Sequence, residues 1–348
     1  MMTPKNQQDI KQFTRHDLSV WLAEHNIKPY RADQILKWVY LRQLDDFSLM
    51  TDIHKSLRLT LNDHFIIQRL KKQKITISSD NTQKYLFQLD DGHHIESVLI
   101  PEKNHYTLCV STQVGCAQGC LFCRTAQLGF IRNLRVDEII GQVRDIVFEH
   151  NTTERKVSNI VFMGMGEPFA NYNNLIKSLS IITDTDYGLK FSQRKVTVST
   201  VGLVPQIKRF SADSMVNLAI SLNAWDNNTR NYIMPINQAY PIEYLLKECQ
   251  IHAVATKQRV TFEYILIKGL NDSENDAKNL AKLLHPIKCK LNLIPFNEHN
   301  GSHFLRPSND TIEKFQTILL NKDFTVIVRK SKGLDINAAC GQLAASLS

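Results

Sequence analysis

Three cysteines with the spacing CxxxCxxC are the residues of this chain that are best suited to chemistry. They are Cys116, Cys120 and Cys123, and they lie in the stretch CVSTQVGCAQGCLFC, which begins with a fourth cysteine, Cys109. Thiolates gathered in this way bind zinc or an iron–sulfur cluster. A structural zinc site needs four protein ligands, usually from two separated pairs, and the other three cysteines stand singly along the chain. Three thiolates instead suit a 4Fe–4S cluster with one iron that has no protein ligand.

An iron without a protein ligand can be chelated by the amino and carboxylate groups of S-adenosylmethionine. One electron from the cluster would then break a sulfonium C–S bond and give a 5′-deoxyadenosyl radical. A non-catalytic RNA-binding protein stabilised by zinc is the alternative from another class. Purification without oxygen separates the two hypotheses, because a cluster gives a brown protein with iron and sulfide, whereas the zinc protein is colourless.

A second loop, IVFMGMGEP at residues 160–168, follows a predicted strand and also indicates ligand binding. No third glycine follows at the dinucleotide-binding spacing, and Glu167 would repel a phosphate. We interpret Gly164 and Gly166 as positions where the backbone approaches a ligand closely. The carboxylate of Glu167 suits an ammonium or a sulfonium group.

The elements that must position these loops form an α/β pattern. After residue 101, β-rich runs alternate with helical runs as six βα units and a last strand, which predicts a partial (βα)6 barrel that is open on one side. Residues 15–64 read as short helices, and KITISS, KYLFQLD and HIESVLIP read as strands. We therefore predict a helical and α+β N-terminal domain at residues 1–100 and a catalytic domain at residues 101–348. Chemistry in such barrels lies at the carboxyl ends of the strands.

Charge and composition restrict the partners. The 348 residues carry 42 basic and 34 acidic side chains, 42 − 34 = +8, which allows a polyanionic partner such as RNA. No apolar run is long enough to span a bilayer, and the opening stretch lacks the apolar core of a secretory signal. We expect a cytoplasmic protein with free thiols. The local basic clusters are Arg69, Lys71, Lys72 and Lys74; Arg132 and Arg135; Arg194 and Lys195; and Arg329, Lys330 and Lys332.

Taken together, these motifs resemble the RlmN/Cfr family of radical S-adenosylmethionine RNA methyltransferases, which act on an adenine of 23S rRNA. The resemblance rests on CxxxCxxC, GMGEP, the serine of VTVST, SLN, LIPFN and the terminal AACGQL, and it extends to PYRADQILKWVY near the start. It implies a radical-SAM barrel with a 4Fe–4S cluster and S-adenosylmethionine as cofactors. The implied cofactor-binding residues are Gly166, Glu167, Ser199, Ser221, Leu222, Asn223 and Asn297. The family more often has SLH than SLN, so Asn223 is a departure, and Arg124 replaces a residue that is usually small.

The same resemblance assigns roles to three residues that look ordinary on their own. Cys340 and Cys109 would each pass as a small buried hydrophobe, and Glu96 as a charge on a half-exposed strand. The resemblance implies that Cys340 takes a methyl group from one S-adenosylmethionine. A radical made from a second molecule then removes a hydrogen from it, and the resulting methylene adds to the electron-poor C2 of adenine. Glu96 would remove the ring proton, and Cys109 would free the RNA by forming a disulfide with Cys340.

Several partners are implied in the same way. They are 23S rRNA, an electron donor such as flavodoxin, and a thiol reductant that reopens the disulfide, while the chain itself is expected to be a monomer. The motifs leave open whether tRNA is also a substrate. They also leave open methylation at C8 of adenine, as in the antibiotic-resistance branch of the family, although the strings IPFN and FIRNL favour C2. We expect the N-terminal domain to bind RNA.

Overall fold

The computed structural model describes residues 7–150 and 155–345 of the chain. Within them, ten strands form one sheet, and four further strands form two short pairs. In chain order the strands are β1 (Gln8–Asp9), β2 (Phe65–Ile66), β3 (Lys71–Ile77), β4 (Gln83–Gln88), β5 (His94–Pro101), β6 (Tyr106–Cys109), β7 (Gln113–Gly115), β8 (Phe130–Asn133), β9 (Val157–Phe162), β10 (Val196–Thr200), β11 (Asn217–Ser221), β12 (Val260–Leu266), β13 (Cys289–Pro295) and β14 (Val326–Val328).

The helices alternate with the later strands and also make up most of the N-terminal region. They are α1 (Arg15–Glu24), α2 (Arg31–Leu36), α3 (Lys55–His64), α4 (Arg124–Gln127), α5 (Val136–Glu149), α6 (Tyr172–Thr183), α7 (Val204–Asp213), α8 (Asn227–Ile233), α9 (Ile236–Ala239), α10 (Ile242–Thr256), α11 (Glu274–Leu284) and α12 (Asn309–Leu320). Among the described residues, no helix is both long and apolar enough to cross a bilayer.

The large sheet has the strand order β14–β13–β12–β11–β10–β9–β6–β5–β4–β3. Its seven strands β6 and β9 to β14 are parallel to one another, and at least one helix joins each to the next. The edge strands β3 and β14 are not paired with each other. This arrangement of six βα units and a last strand confirms the predicted partial barrel.

The three strands predicted near the end of the N-terminal region are present, and they extend the barrel sheet. β3, β4 and β5 pair in antiparallel fashion, and β5 pairs with β6, so that Val98 lies opposite Cys109. Hydrogen bonds therefore run continuously across residue 100, where the sequence suggests a domain boundary. That boundary stays a prediction.

Alternation along the parallel strands separates the core from the site. Ile220 of β11 and Phe262 of β12 are fully buried in the main hydrophobic cluster, and each such side chain stabilises the fold by roughly 1.5–3 kcal/mol. The next residues, Ser221 and Glu263, point to the opposite face because successive side chains of a strand alternate. Both line a cavity. A polar residue within an apolar strand thus marks the inner face of the barrel.

A buried arginine attaches the N-terminal helices to the barrel. Arg144 of α5 is fully buried and donates to the carbonyl oxygens of Val39 at 2.9 Å and Leu44 at 3.1 Å, and to the carboxylate of Asp45 at 2.7 Å. A guanidinium is suited to such a site because its donors fan out in one plane. The N-terminal helices and the barrel therefore share a polar contact that is specific in its geometry.

Candidate active site

A cavity of about 140 Å³ opens at the carboxyl ends of the parallel strands. Side chains from the cysteine loop, the glycine loop, four strand ends and the C-terminal segment line it. Nine of the residues that we predicted for the site lie on its wall: Cys116, Cys120, Cys123, Gly166, Glu167, Ser199, Ser221, Asn223 and Cys340. The other four, Glu96, Cys109, Leu222 and Asn297, lie behind or beside the wall.

The cysteine loop is fixed at both ends by backbone hydrogen bonds. It connects β7 to α4, and the amide of Cys116 donates to the carbonyl oxygen of Gly129 at 2.9 Å. Gly115 has φ = +73°, and a Cβ atom there would lie 1.9 Å from the same oxygen. Glycine is therefore required by the close approach of the two strands, and it turns the chain into the loop.

The three thiols of this loop are chemically suited to bind a cation. Burial raises the pKa of Cys116 to about 12 and raises the pKa of Cys120 and Cys123 as well. Charges on Cys123 and Cys116 would raise the pKa of Cys120 further. Bound iron supplies the positive charge that buried thiolates need. In the described ranges, no three His, Cys, Asp or Glu side chains are arranged to bind a single metal ion. The argument that the three cysteines could hold a cluster therefore rests on their lining the same cavity.

The glycine loop is shaped by the strand beside it. A Cβ atom on Gly164 would lie 2.7 Å from the Ser111 hydroxyl oxygen and 2.8 Å from the Val110 backbone. Gly166 has φ = +95°, and its Cβ would lie 2.4 Å from the Cβ of Gln113. The sequence suggested that these glycines make room for a ligand. The structure shows that they make room for residues 110–113, although Gly164 and Gly166 both border the cavity.

Glu167 follows the glycine loop with its carboxylate at the cavity wall. The carboxylate accepts hydrogen bonds from the amides of Phe169 and Val201, both at 2.9 Å. Burial raises its pKa to about 7, although these hydrogen bonds act in the opposite direction. A cationic ligand would strongly stabilise the ionised form of a carboxylate that is desolvated in this way.

The loop after β11 explains the departure from SLH. Asn223 has φ = +61°, a conformation that asparagine tolerates better than most residues. Its side-chain oxygen accepts from the amide of Ile265 at 2.9 Å, and its amide nitrogen lies 3.2 Å from the sulfur of Met234. Leu222 before it is fully buried in the main core. Asn223 thus holds the loop with its side chain, while Ser221 and Ser199 face the cavity.

Asn297 lies beside the cavity and connects two segments of the C-terminal region. Its side-chain nitrogen donates to the carbonyl oxygen of Cys340 at 3.1 Å, and its oxygen accepts from the Ser331 hydroxyl at 2.5 Å. The side chain therefore positions the loop that carries Cys340.

Cys109 and Cys340 lie in different surroundings. Cys109 is buried in an apolar cluster with Met165 and Ala338, and burial together with the charge of Cys340 raises its pKa. Cys340 is exposed as a residue, but burial of its thiol, with the nearby Glu263 charge, raises the pKa of that thiol to about 11. Both cysteines are free thiols, and they are near enough to influence each other.

Glu96 does not line the cavity. It is buried on β5, and Lys84 lies 3.1 Å from one of its oxygens. The other oxygen accepts from the amides of Ala344 at 2.9 Å and Ala345 at 3.0 Å. In this structure the carboxylate therefore holds the C-terminal segment just beyond Cys340.

The whole segment that carries Cys340 is fastened to the β3–β4 turn. Asp335 accepts from the Ser78 hydroxyl at 2.5 Å and from the Ser79 amide at 3.0 Å. Asp80 accepts from the Gly333 amide at 3.1 Å. The sheet extension formed by β3 to β5 thus positions the segment that places Cys340 at the cavity.

Comparisons with known proteins identify the family to which the chain belongs. Residues 8–67 match the family model described as "Ribosomal RNA large subunit methyltransferase N-terminal domain", and residues 110–281 match "Radical SAM superfamily". Dual-specificity RNA methyltransferase RlmN of Desulfosudis oleivorans is 55% identical over 98% of this chain and 91% of its own length. The RlmN of Syntrophotalea carbinolica is 48% identical over 98% of this chain and 90% of its own. The chain belongs to the RlmN family. 

A solved structure extends the likeness from sequence to fold. The crystal structure of a radical SAM methyltransferase from Sphaerobacter thermophilus matches with a TM-score of 0.92 and 40% identity, covering 97% of this chain and all of that one. This chain is accordingly an enzyme, a radical SAM methyltransferase of the RlmN family, and its cofactors are a 4Fe–4S cluster and S-adenosylmethionine. The hypothesis of a non-catalytic zinc protein is wrong.

The sequence reading of this RlmN family member missed two polar residues of the cavity region. Glu263 of β12 lines the cavity, and its carboxylate accepts from the Asn292 side chain of β13 at 2.8 Å. Burial raises the pKa of Glu263. The signal was present in the sequence, because RVTFEYILI and KLNLIPF each place one polar side chain between apolar neighbours at strand spacing.

Asp335 allows a direct test of how the Cys340 segment is positioned. We expect Asp335→Ala to loosen residues 333–345 and to slow RNA methylation with little change in the melting temperature, because the lost hydrogen bonds are local. Hydrogen exchange measured by mass spectrometry would report faster exchange in that segment alone. Asp310→Ala is the matched control, since Asp310 pairs, within the described residues, with Lys314 on its own helix. Unchanged exchange in the Asp335 variant would contradict this positioning role.

Proposed function

We propose that this chain methylates C2 of an adenine in 23S rRNA, and of an adenine in tRNA, through a methyl group carried on Cys340. The observation that carries the proposal is that one cavity is lined by three clustered cysteines, by Glu167 and by Cys340. The relatives carry the name of the C2 branch of the family and are called dual-specificity RNA methyltransferases. The match of residues 8–67 to a ribosomal RNA methyltransferase domain also supports an RNA substrate.

Cys116, Cys120 and Cys123 would hold the cluster, and Glu167, Ser199 and Ser221 would hold the amino acid and ribose parts of S-adenosylmethionine. When both are bound, they supply a carbon radical that can remove a hydrogen atom from an unactivated methyl group. The lining is suited to this task because buried thiolates need a cation and the desolvated carboxylate of Glu167 favours an ammonium group.

Cys340 would act first as a nucleophile. Its sulfur attacks the methyl carbon of the sulfonium, its thiol proton is lost, and S-adenosylhomocysteine leaves. The raised pKa of about 11 keeps the free thiol protonated near neutral pH, so we propose that the positive charge of the methyl donor favours the thiolate. The S-methyl group then stands in the same cavity as the second cofactor molecule.

Glu96 and Cys109 would complete the reaction. After the S-bound methylene has joined adenine C2, Glu96 accepts the ring proton and Cys109 attacks the sulfur of Cys340. The sulfur–methylene bond would break, a proton would complete the new methyl group, one electron would return to the cluster that was oxidised in making the radical, and a disulfide would remain. Because the amides of Ala344 and Ala345 occupy the Glu96 carboxylate here, this role requires the C-terminal segment to shift when RNA enters.

The remaining partners follow from the chemistry of the turnover. An electron donor such as flavodoxin would reduce the cluster, and a thiol reductant would reopen the disulfide. We propose that the chain works as a monomer in the cytoplasm, where thiols stay reduced. We further propose that its N-terminal domain, residues 1–100, contributes to RNA binding.

Reconstitution tests the proposed function. Protein purified without oxygen should contain about four irons per chain, whereas Cys120→Ala should lose most of that iron. With S-adenosylmethionine, a reductant and an unmodified 23S rRNA transcript, mass spectrometry of the digested RNA should detect 2-methyladenosine. Formation of 8-methyladenosine, or one tightly bound zinc in place of iron, would overturn the proposal.

Glu167 predicts a pH dependence of cofactor binding. Since its pKa is about 7 and only the carboxylate attracts the amino group, affinity for S-adenosylmethionine should rise with pH and level off above 7. Each pH unit below that value should weaken binding by up to about tenfold. Glu167→Gln should remove this dependence and weaken binding at pH 8 by roughly 10–100-fold, the value of a charge-assisted hydrogen bond. Calorimetric titration measures both effects, with Glu274→Gln as the control. Wild-type affinity that is flat between pH 6 and 8 would contradict the role.

A further inference from the structure

The basic clusters of the chain differ in how far their charges are already neutralised. Arg132 lies 2.5 Å from Asp91 and 2.8 Å from Glu138. Arg69 lies 2.5 Å from Asp45. Cations that already have carboxylate partners should bind an RNA phosphate more weakly, since the phosphate would have to compete with those partners.

The cluster at residues 329–332, which we name the basic segment, has few such partners. In the part of the chain that the structure describes, the side chains of Lys330 and Lys332 make no ion pair or hydrogen bond. Between residues 329 and 337 the sequence has one acidic side chain, Asp335, and the carboxylate of Asp335 is bonded to Ser78 and Ser79. The positive charge of the basic segment is therefore uncompensated locally.

The basic segment is connected to the loop that carries Cys340. It follows β14 directly, and the amide of Arg329 donates to the carbonyl oxygen of Leu293 at 2.8 Å. The hydroxyl of Ser331 donates to Asn297 at 2.5 Å, and Asn297 in turn donates to the carbonyl oxygen of Cys340 at 3.1 Å. One side chain thus connects the basic segment to the residue that carries the methyl group.

The charge of Arg329 also acts on two residues of the cavity wall. The charge of Arg329 acts to lower the pKa of Cys340 and of Glu263, although burial outweighs it in both cases. Glu263 and Cys340 both line the cavity. The field of Arg329 therefore reaches the space that a substrate base would enter.

We propose that the basic segment binds the RNA backbone phosphates next to the target adenine and so holds that base in front of Cys340. The inference rests on the proposed function, because it assumes an RNA substrate. A base that enters an enclosed site must leave its stack, and its flanking phosphates then remain at the mouth. Phosphate contacts fix position without reading sequence, which suits an enzyme with both rRNA and tRNA substrates.

The test compares two double variants that remove the same charge. One lies at the carboxyl ends of the parallel strands and the other at their amino ends. Lys330→Gln/Lys332→Gln alters the basic segment, and Arg194→Gln/Lys195→Gln alters an exposed turn, Gln193–Lys195, just before the start of β10. Filter binding of an unmodified 23S rRNA transcript is measured between about 50 and 200 mM salt. The basic-segment variant should lower the slope of log K against log salt by about 1.5 and weaken binding at least about tenfold near 0.1 M. The control should keep both the wild-type slope and the wild-type affinity.

Self-methylation of Cys340 without RNA separates this inference from the proposed function. We expect the basic-segment variant to acquire the S-methyl group as fast as wild type, because the cavity is intact. An unchanged salt slope in that variant, or a loss of self-methylation with normal RNA affinity, would overturn the phosphate-binding role. Failure of the wild-type protein to methylate Cys340 or RNA would instead overturn the proposed function.

Discussion

Replacing Cys340 with alanine is expected to abolish both self-methylation and RNA methylation. The alanine protein should still bind its cluster, because the cluster ligands lie on a separate loop, and it should still bind S-adenosylmethionine. Without the sulfur there is no acceptor for the first methyl group, so the rate should fall at least about 10³-fold. Intact-protein mass spectrometry should show one added methyl group on wild-type protein and none on the variant.

Two comparisons make the Cys340 result specific. Cys289→Ala removes a different thiol, at the start of β13 and outside the residues that line the cavity, and it should behave like wild type. Cys340→Ser keeps a similar shape but offers a poor nucleophile, and it should fail as Cys340→Ala does. A methylated cysteine found in the Cys340→Ala protein would show that another thiol is the acceptor.

Replacing Cys109 should have an equally large effect at a later step. Cys109→Ala protein should methylate Cys340, form the carbon bond to adenine and then stop, because no thiol is available to release the sulfur. RNA would remain covalently attached to the protein. A denaturing gel should show a slowly migrating band, which nuclease treatment converts to protein with one attached nucleotide adduct.

The buried position of Cys109 demands a second variant. The side chain packs against Met165 and Ala338, so Cys109→Ala leaves a small cavity, whereas Cys109→Ser keeps the volume. Both variants should stall in the same way if the thiol is the resolving group. Multiple turnovers in either variant, with no protein–RNA band, would remove Cys109 from the mechanism.

Much of the barrel could be predicted because its strands and helices carry local patterns. The alternation of apolar and polar residues in NLAISLN and RVTFEYILI predicts strands with one polar face, and the structure has both as β11 and β12. The same patterns predict that residues after strand ends gather at one rim. Nine predicted site residues do line the cavity there.

Contacts between distant parts of the chain could not be predicted in this way. The carboxylate of Glu96 binds amides 248 and 249 residues later, and Asp335 binds Ser78 across 257 residues. No local pattern encodes such pairs, because each carboxylate accepts hydrogen bonds from backbone amides or a hydroxyl group, and such donors occur throughout the chain. The glycine loop is a related case. The sequence indicated that residues without a side chain are needed there, but it did not indicate that the neighbouring segment, residues 110–113, is what excludes a side chain.

In the proposed mechanism, the new methyl carbon reaches RNA by way of Cys340. The direct measurement is a single turnover of protein whose Cys340 has been pre-methylated with a CD3 group, supplied with unlabelled S-adenosylmethionine and an unmodified 23S rRNA transcript. Because one deuterium is removed before the carbon joins adenine, the account predicts 2-methyladenosine with two deuterium atoms in its methyl group. An unlabelled product, or one that retains all three deuterium atoms, would contradict it.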